Sequence, residues 1–199
     1  MRRLLAYYQW HLLFALLVIV CAVFVYTSVT RTVDSDLRVA YSCREYMNAQ
    51  TFRDMKAEFE LLIRDANGDG DKNADVTVFS DDDENKVIEK LKEYVVSDEY
   101  DIYISTADAF EAVEDKKFFA DTEKYYIYSD DDDVLRDEDG RVYAVSLNNN
   151  TIAKTFGIPD NANLYIAAAV DEGEATTYRK NGSNITGYII ENKYKYKFN

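Results

Sequence analysis

The sequence predicts an α/β protein: an N-terminal transmembrane helix followed by a three-layer domain built on a mainly parallel, mixed sheet. Three observations lead there. Residues 4–25 form a 22-residue apolar run behind Met1, Arg2 and Arg3. Beyond it, stretches with alternating apolar residues repeatedly give way to stretches whose apolar residues recur every three or four positions, the βαβα order of a sheet covered by helices. The remaining chain, roughly 165 residues rich in Tyr, Val, Ile and Phe, is enough to bury one core, so one domain is expected.

The apolar run comes first. A 22-residue helix covers about 33 Å, enough for a hydrocarbon core of about 30 Å. Two arginines precede the run and no acid does, which places the N-terminus in the cytoplasm. Tyr7, Tyr8 and Trp10 near one end and Tyr26 at the other match aromatic belts at the two interfaces. The competing reading, a cleaved signal peptide, meets a run that is too long and a poor cleavage site at Ser28-Val29-Thr30. The expected organisation is a cytoplasmic N-terminus at 1–3, a span through the lipid bilayer at 4–26, a linker at 27–36 and an extracytoplasmic domain at 37–199. That is a single-pass cell-membrane protein with its domain extracellular.

The domain's elements follow in order. Leu37 to Tyr41 alternates as a strand, and Thr51 to Arg64 places Phe52, Met55, Phe59, Leu62 and Ile63 on one helical stripe. Asn67 to Gly70 ends that helix, and Asp75 to Phe79 is a second strand. Ser80 to Glu84 offers an N-cap for a helix reaching about Val96, with Val87, Ile88, Leu91, Tyr94 and Val95 on its inner face. Tyr100 to Ile104 is a third strand, and Ser105 or Thr106 caps a short helix to Val113. The regular alternation then breaks. Tyr125 to Tyr128 looks strand-like, Asp137 to Gly140 is a turn, and Arg141 to Leu147 is a strand. Asn150 to Phe156 is a short helix before Gly157 and Pro159, and Leu164 to Val170 is a buried strand. Thr176 to Tyr178 and Gly187 to Ile190 are weak strand segments, and the terminal KYKYKFN is an edge strand or a tail.

Charge excludes one class of partner. The chain carries a net charge of −14, and −16 without Arg2 and Arg3, a surface that repels phosphate backbones; nucleic acid is not an expected partner. Cys21 falls in the span and Cys43 in or near the first strand, so the usual structural disulfide is not available and Cys43 is expected to be buried. An exported domain without disulfides suits a Gram-positive surface. The sequons at Asn149, Asn181 and Asn184 matter only in a glycosylating host.

One loop suggests a metal. Asp65, Asn67, Asp69 and Asp71 place oxygens at alternate positions, with Gly70 sixth and Asn73 ninth, as in the first half of an EF-hand or dockerin calcium loop. Alternating oxygens converge on one hard cation and Gly permits the sharp turn. The twelfth position, which should supply a bidentate carboxylate, is Val76. A weak calcium site and a plain helix-to-strand turn both remain open. Asp81 to Glu84 sits at a helix N-terminus, where carboxylates oppose the macrodipole, and Asp130 to Asp133 suits a solvated loop.

No catalytic constellation is present. The only histidine is His11, inside the apolar run, so the domain has no imidazole for Ser-His-Asp or Cys-His chemistry. There is no GxSxG, Walker or GxGxxG pattern. An enzyme is not expected.

The phrases Tyr100-Asp101-Ile102-Tyr103-Ile104-Ser105 and Asp139-Gly140-Arg141-Val142-Tyr143-Ala144-Val145 resemble extracellular solute-binding proteins of bacterial transporters. In that family a "D-[VI]-[YF]" strand precedes a helix, and a "dGkvYa" strand follows an acidic turn near the crossing between lobes. Tyr7-Tyr8-Gln9-Trp10-His11 and the Asp65 to Gly70 loop are similar to those of single-pass clostridial membrane proteins of uncharacterised function. The likeness covers most of residues 4–170. It implies a periplasmic-binding-protein-like single lobe, since two-lobed members are about twice this length, and it carries over no ligand-binding residue. The expected function is thus a membrane-anchored, non-catalytic binding or accessory protein for a small-molecule solute or a membrane protein complex. The alternatives are a calcium-stabilised structural or adhesion module and a sensor subunit of a membrane complex.

Overall fold

The structure, a computed structural model, describes His11, Phe14 and residues 16–20, 35–44, 48–158, 163–170 and 177–194. The chain divides into two compact units, 1–34 and 35–199. In the first, the described residues are helical and exposed. Most of the apolar run at 4–26 lies outside the described residues, and among the described residues no helix is long and apolar enough to cross a membrane.

The second unit is α/β. Its elements are β1 (Leu37–Cys43), α1 (Ala49–Leu62), β2 (Ala74–Ser80), α2 (Glu84–Ser97), β3 (Ile102–Thr106), α3 (Ala107–Glu111), a 3-10 turn (Lys116–Phe118), β4 (Val134–Arg136), β5 (Val142–Ser146), α4 (Thr151–Thr155), β6 (Leu164–Ala168) and α5 (Thr177–Tyr194). One six-stranded sheet has the order β2-β1-β3-β6-β5-β4. β1 pairs in parallel with β2 and with β3, whereas β3–β6, β6–β5 and β5–β4 are antiparallel. The sheet is therefore mixed, parallel at one end and antiparallel at the other, rather than mainly parallel. The reason is β6: it inserts between β3 and β5 and runs against both.

Both faces of the sheet are covered, and period-two alternation assigns each residue to a face. Leu37, Val39, Tyr41, Ile102, Ile104 and Ile166 pack with Met55 and Phe59 of α1, Ala153 of α4 and Ile185 and Ile189 of α5. Their neighbours Ala40, Tyr103 and Ala167 face the other way, onto Val87, Leu91 and Tyr94 of α2 and Phe110 of α3. Helix starts use the side chains the sequence offers. Asn48 accepts from the backbone N–H of Gln50 and Thr51, Asp83 from Asn85, Thr106 from Ala109, and Asn150 from Ile152 and Ala153.

Two sequence expectations change. Tyr125 to Tyr128 forms no strand; a turn and extended chain there set the Tyr126 ring 4.3 Å from that of Tyr194, stacked, and Tyr128 edge-on to Tyr194. Ring packing replaces strand pairing in this segment. The weak strands at 176–178 and 187–190 belong to α5 from Thr177 onward. Asn181, Gly182, Ile185, Thr186, Gly187, Ile189, Ile190 and Tyr194 are its buried residues, a helical face whose packing overrides the β-branched content that argues for strand and the glycines that disfavour helix.

Asp101, just before β3, joins three elements. Its Oδ2 accepts the Arg38 N–H at 2.9 Å, its N–H reaches the Arg38 carbonyl, and its Oδ1 lies 3.8 Å from Arg179 Nε. Burial pushes its carboxyl above the ordinary range, against the pull of the Arg38 N–H and Arg179. The native state thus holds this proton more tightly than the unfolded chain, and stability falls as pH rises from about 4 through the folded value. Chemical denaturation of the wild type and Asp101→Asn across that range should show the wild type losing ground as pH rises. Parallel profiles would contradict the assignment.

Candidate functional site

The sheet itself creates the site. The β1–β3 ladder runs from Val39↔Ile102 to Tyr41↔Ile104 and stops. Beyond it β1 continues alongside β2 as far as Cys43↔Ser80, and β3 continues alongside β6 to Thr106↔Leu164. The two strands part at their C-terminal ends, where the Ser42 and Ser105 hydroxyls, 2.9 Å apart and buried, still join them. β1 leads to α1 on one face and β2 leads to α2 on the other. This is a topological switch point, where open α/β sheets place ligands.

A cleft of about 610 Å³ occupies it. The end of β1 supplies Tyr41, Cys43 and Arg44; the approach to α2 supplies Asp82 and Glu84; Thr106, Ala107 and Asp108 come from the β3–α3 junction. Asn163, Leu164 and Tyr165 close the remaining side from the start of β6. The volume is within the range of small-molecule sites.

Polar contacts hold the rim. Glu84 Oε1 accepts from Thr106 Oγ1 at 2.6 Å, and Glu84 Oε2 lies 3.6 Å from Arg44 Nε. Thr106 Oγ1 also accepts the Ala109 N–H, so one carboxylate ties the start of α2 to the cap of α3 across the cleft. On the β6 side the Tyr165 hydroxyl donates to Asp133 Oδ1, and Asn148 and Asn163 bond reciprocally. Burial and the Asp133 contact push the Tyr165 phenol far above its usual value, so it remains a donor. Burial also acts to raise the Asp133 carboxyl, but hydrogen bonds from Ser146, Tyr165 and Asn148 with the charge of Lys193 outweigh it and hold the group below the ordinary range. The Asp82 and Asp108 side chains are exposed and make no hydrogen bond or ion pair among the described residues.

The acidic loop lies at the opposite end of the strands. Asp36 and Asn73 precede the Leu37↔Ala74 pair, about 20 Å of strand away from Cys43 and Ser80. Within the loop, side-chain oxygens of Asp65, Asn67 and Asp69 accept backbone N–H groups. Asp65 Oδ1 and Oδ2 accept the N–H groups of Gly68 and Gly70, Asn67 Oδ1 that of Asp69, and Asp69 Oδ1 that of Asp71. Asn73 takes part through its backbone: its N–H donates to Asp36 Oδ2 and its carbonyl accepts from the Asp36 N–H. Val76, at the twelfth position, is buried in β2. Among the described residues no group of three or more His, Cys, Asp or Glu side chains is placed to hold a metal ion.

A plain turn shaped by these hydrogen bonds would leave the melting temperature in millimolar calcium within about 1 °C of that in chelator, well under the effect of a saturated site. A rise of several degrees, lost in Asp65→Ala/Asp69→Ala, would assign calcium to it.

The cleft was not apparent from the sequence as a site, although its parts were. Asp82, Glu84 and Thr106 stand out there as helix-start residues. Arg44, Asn163 and Tyr165 carry no local signal, since their meeting depends on β6 entering next to β3. No family model, curated protein or solved structure matches the chain.

Proposed function

We propose that the protein is a membrane-anchored extracytoplasmic binding protein that takes a small solute in the cleft between β1 and β3, without catalysing a reaction. One observation carries the reading: the parting of β1 and β3 beyond Tyr41 and Ile104 opens a cleft at the switch point. Supporting it, the cleft's volume suits a small molecule, and the sheet order with its antiparallel β6 is compatible with one lobe of a solute-binding fold. The non-catalytic part rests on the lack of any imidazole beyond His11 and on Thr106, whose hydroxyl is occupied as a helix cap. The anchor rests on the apolar run behind Arg2 and Arg3 and on the exposure of Phe14 and residues 16–20, apolar surface of a kind lipid accommodates. The calcium-module alternative has less support, because both Asp65 oxygens already accept the loop's own N–H groups and the twelfth position is Val76.

A thermal-shift screen of the full chain in detergent micelles against a library of small polar solutes tests the reading. At least one class should raise the melting temperature by several degrees, the size expected when ligand is near a hundredfold above its dissociation constant. Ala107→Trp, which fills the cleft from its α3 side, should abolish that rise. A library-wide absence of shifts, or shifts that survive Ala107→Trp, would sink the proposal.

A further inference from the structure

We infer that the cleft selects organic cations, solutes bearing a primary ammonium or guanidinium group, over neutral or anionic ones; this rests on the binding reading above. The charges at the mouth are unbalanced. Among the described residues Arg44 is the only cationic side chain lining it, and Glu84, 3.6 Å away, already offsets that charge. Asp82 and Asp108 also line the cleft, one before α2 and one in α3, with side chains that are exposed and make no hydrogen bond or ion pair among the described residues. The N-terminus of α2 adds about half a positive charge, but its own cap Asp83 is a carboxylate. The sum at the mouth stays negative.

The floor suits the same ligands. Tyr41 and Tyr165 line the cleft, and tyrosine rings attract ammonium and guanidinium groups through their faces. Tyr165 and Asn163 add polar groups for a ligand's uncharged part. A bare metal ion fits poorly, since the ligating side chains are not gathered into a group that could hold one among the described residues. Asp82, Glu84 and Asp108 line a cavity of about 610 Å³, with room for a polyatomic cation. A net charge of −14 also raises the encounter rate of cations and lowers that of anions.

Isothermal titration of the full chain in detergent micelles tests this, with putrescine and agmatine as cations, trehalose as the neutral solute and citrate as the anion. The cations should bind, more weakly as salt rises. Asp82→Asn and Asp108→Asn should each weaken them about tenfold, as loss of a charged hydrogen bond does. Both substitutions are at exposed positions, and an unchanged melting temperature would confirm that each variant is folded. Hydrogen exchange with putrescine should protect 41–44 and 105–108, locating the site without any substitution in the cleft. Trehalose or citrate binding with that protection, in place of the cations, would overturn the charge selectivity and leave the binding reading intact. Cation binding unaffected by either Asp→Asn change, or matched by magnesium alone at equal ionic strength, would also overturn the inference. Binding by no probe, together with no hit in the wider solute screen, would remove both.

Discussion

Asp36→Ala is expected to lower the unfolding free energy by about 3–5 kcal/mol, from the loss of several buried acceptors at once. Asp36 is fully buried at the entry to β1. Its Oδ1 accepts the N–H groups of Ala66 and Asn67 at 2.6 and 3.2 Å, and its Oδ2 accepts that of Asn73 at 2.9 Å. One side chain thereby fixes the start and the end of the loop between α1 and β2. Asn181 of α5 extends the same junction: its side chain donates to the carbonyls of Asp36 and Arg64 and accepts the Arg64 N–H. An alanine at 36 would leave three donors facing protein, each costing about 1–3 kcal/mol if no water reaches it. Asp36→Asn keeps one acceptor oxygen and should fall between. Asp65→Ala, whose carboxylate serves the exposed N–H groups of Gly68 and Gly70, should cost no more than about 1 kcal/mol, because water can replace it. Urea denaturation of the three variants gives the ranking, and an Asp36→Ala loss no larger than that of Asp65→Ala would refute this account of the junction.

Gly182→Ala carries the second large effect. In the middle of a helix alanine is ordinarily favoured over glycine by about 1 kcal/mol. Here a Cβ would stand 2.7 Å from the Asp101 carbonyl oxygen, 2.9 Å from its Cβ and 3.1 Å from its carbonyl carbon. That carbonyl oxygen accepts the Ala169 N–H, and the Asp101 N–H donates to Arg38. The backbone it would strike is therefore held between β1 and the chain leaving β6. Overpacking of this kind costs about 1–3 kcal/mol or more, and with so little freedom to yield the net loss should be about 2–3 kcal/mol despite the better helix former. The melting temperature should fall by about 4–10 °C for a domain of this size. Gly187→Ala is the comparison. Its Cβ would meet the Tyr125 ring at 2.7 Å, and a side chain can move where a strand-bound carbonyl cannot, so its loss should be smaller. Equal melting temperatures for Gly182→Ala and the wild type would show that α5 can shift away from β3.

The parts of the fold that were legible in the sequence are those governed by local periodicity. From Leu37 to Glu111 each strand and helix lies where alternation or the helical repeat places it, within a few residues, and Asp83, Thr106 and Asn150 cap helices as small polar residues do. The second half depends on distant contacts. β6 pairs with β3 across about sixty residues of chain, and nothing in Leu164 to Ala168 tells an antiparallel insertion from a parallel edge. In α5 the residues Ile185, Thr186, Ile189 and Ile190 favour strand locally, and only their joint burial against the sheet and α4 makes them helical. The acidic loop stands out by its calcium-like spacing, while Asp36, whose carboxylate bonds both ends of that loop, lies outside the spacing. The cleft was hidden for a similar reason: it exists because two adjacent strands stop pairing, and no segment of sequence records where a ladder ends.

Hydrogen exchange of the full chain in micelles, with and without a stabilising solute from the thermal-shift screen, tests the central claim most directly. The solute should slow exchange in 41–44, 81–84, 105–108 and 163–165, the four segments that meet at the switch point, and leave 65–73 unchanged. Protection confined to 65–73, or binding that leaves all four cleft segments exchanging as before, would contradict the assignment of this cleft as the functional site.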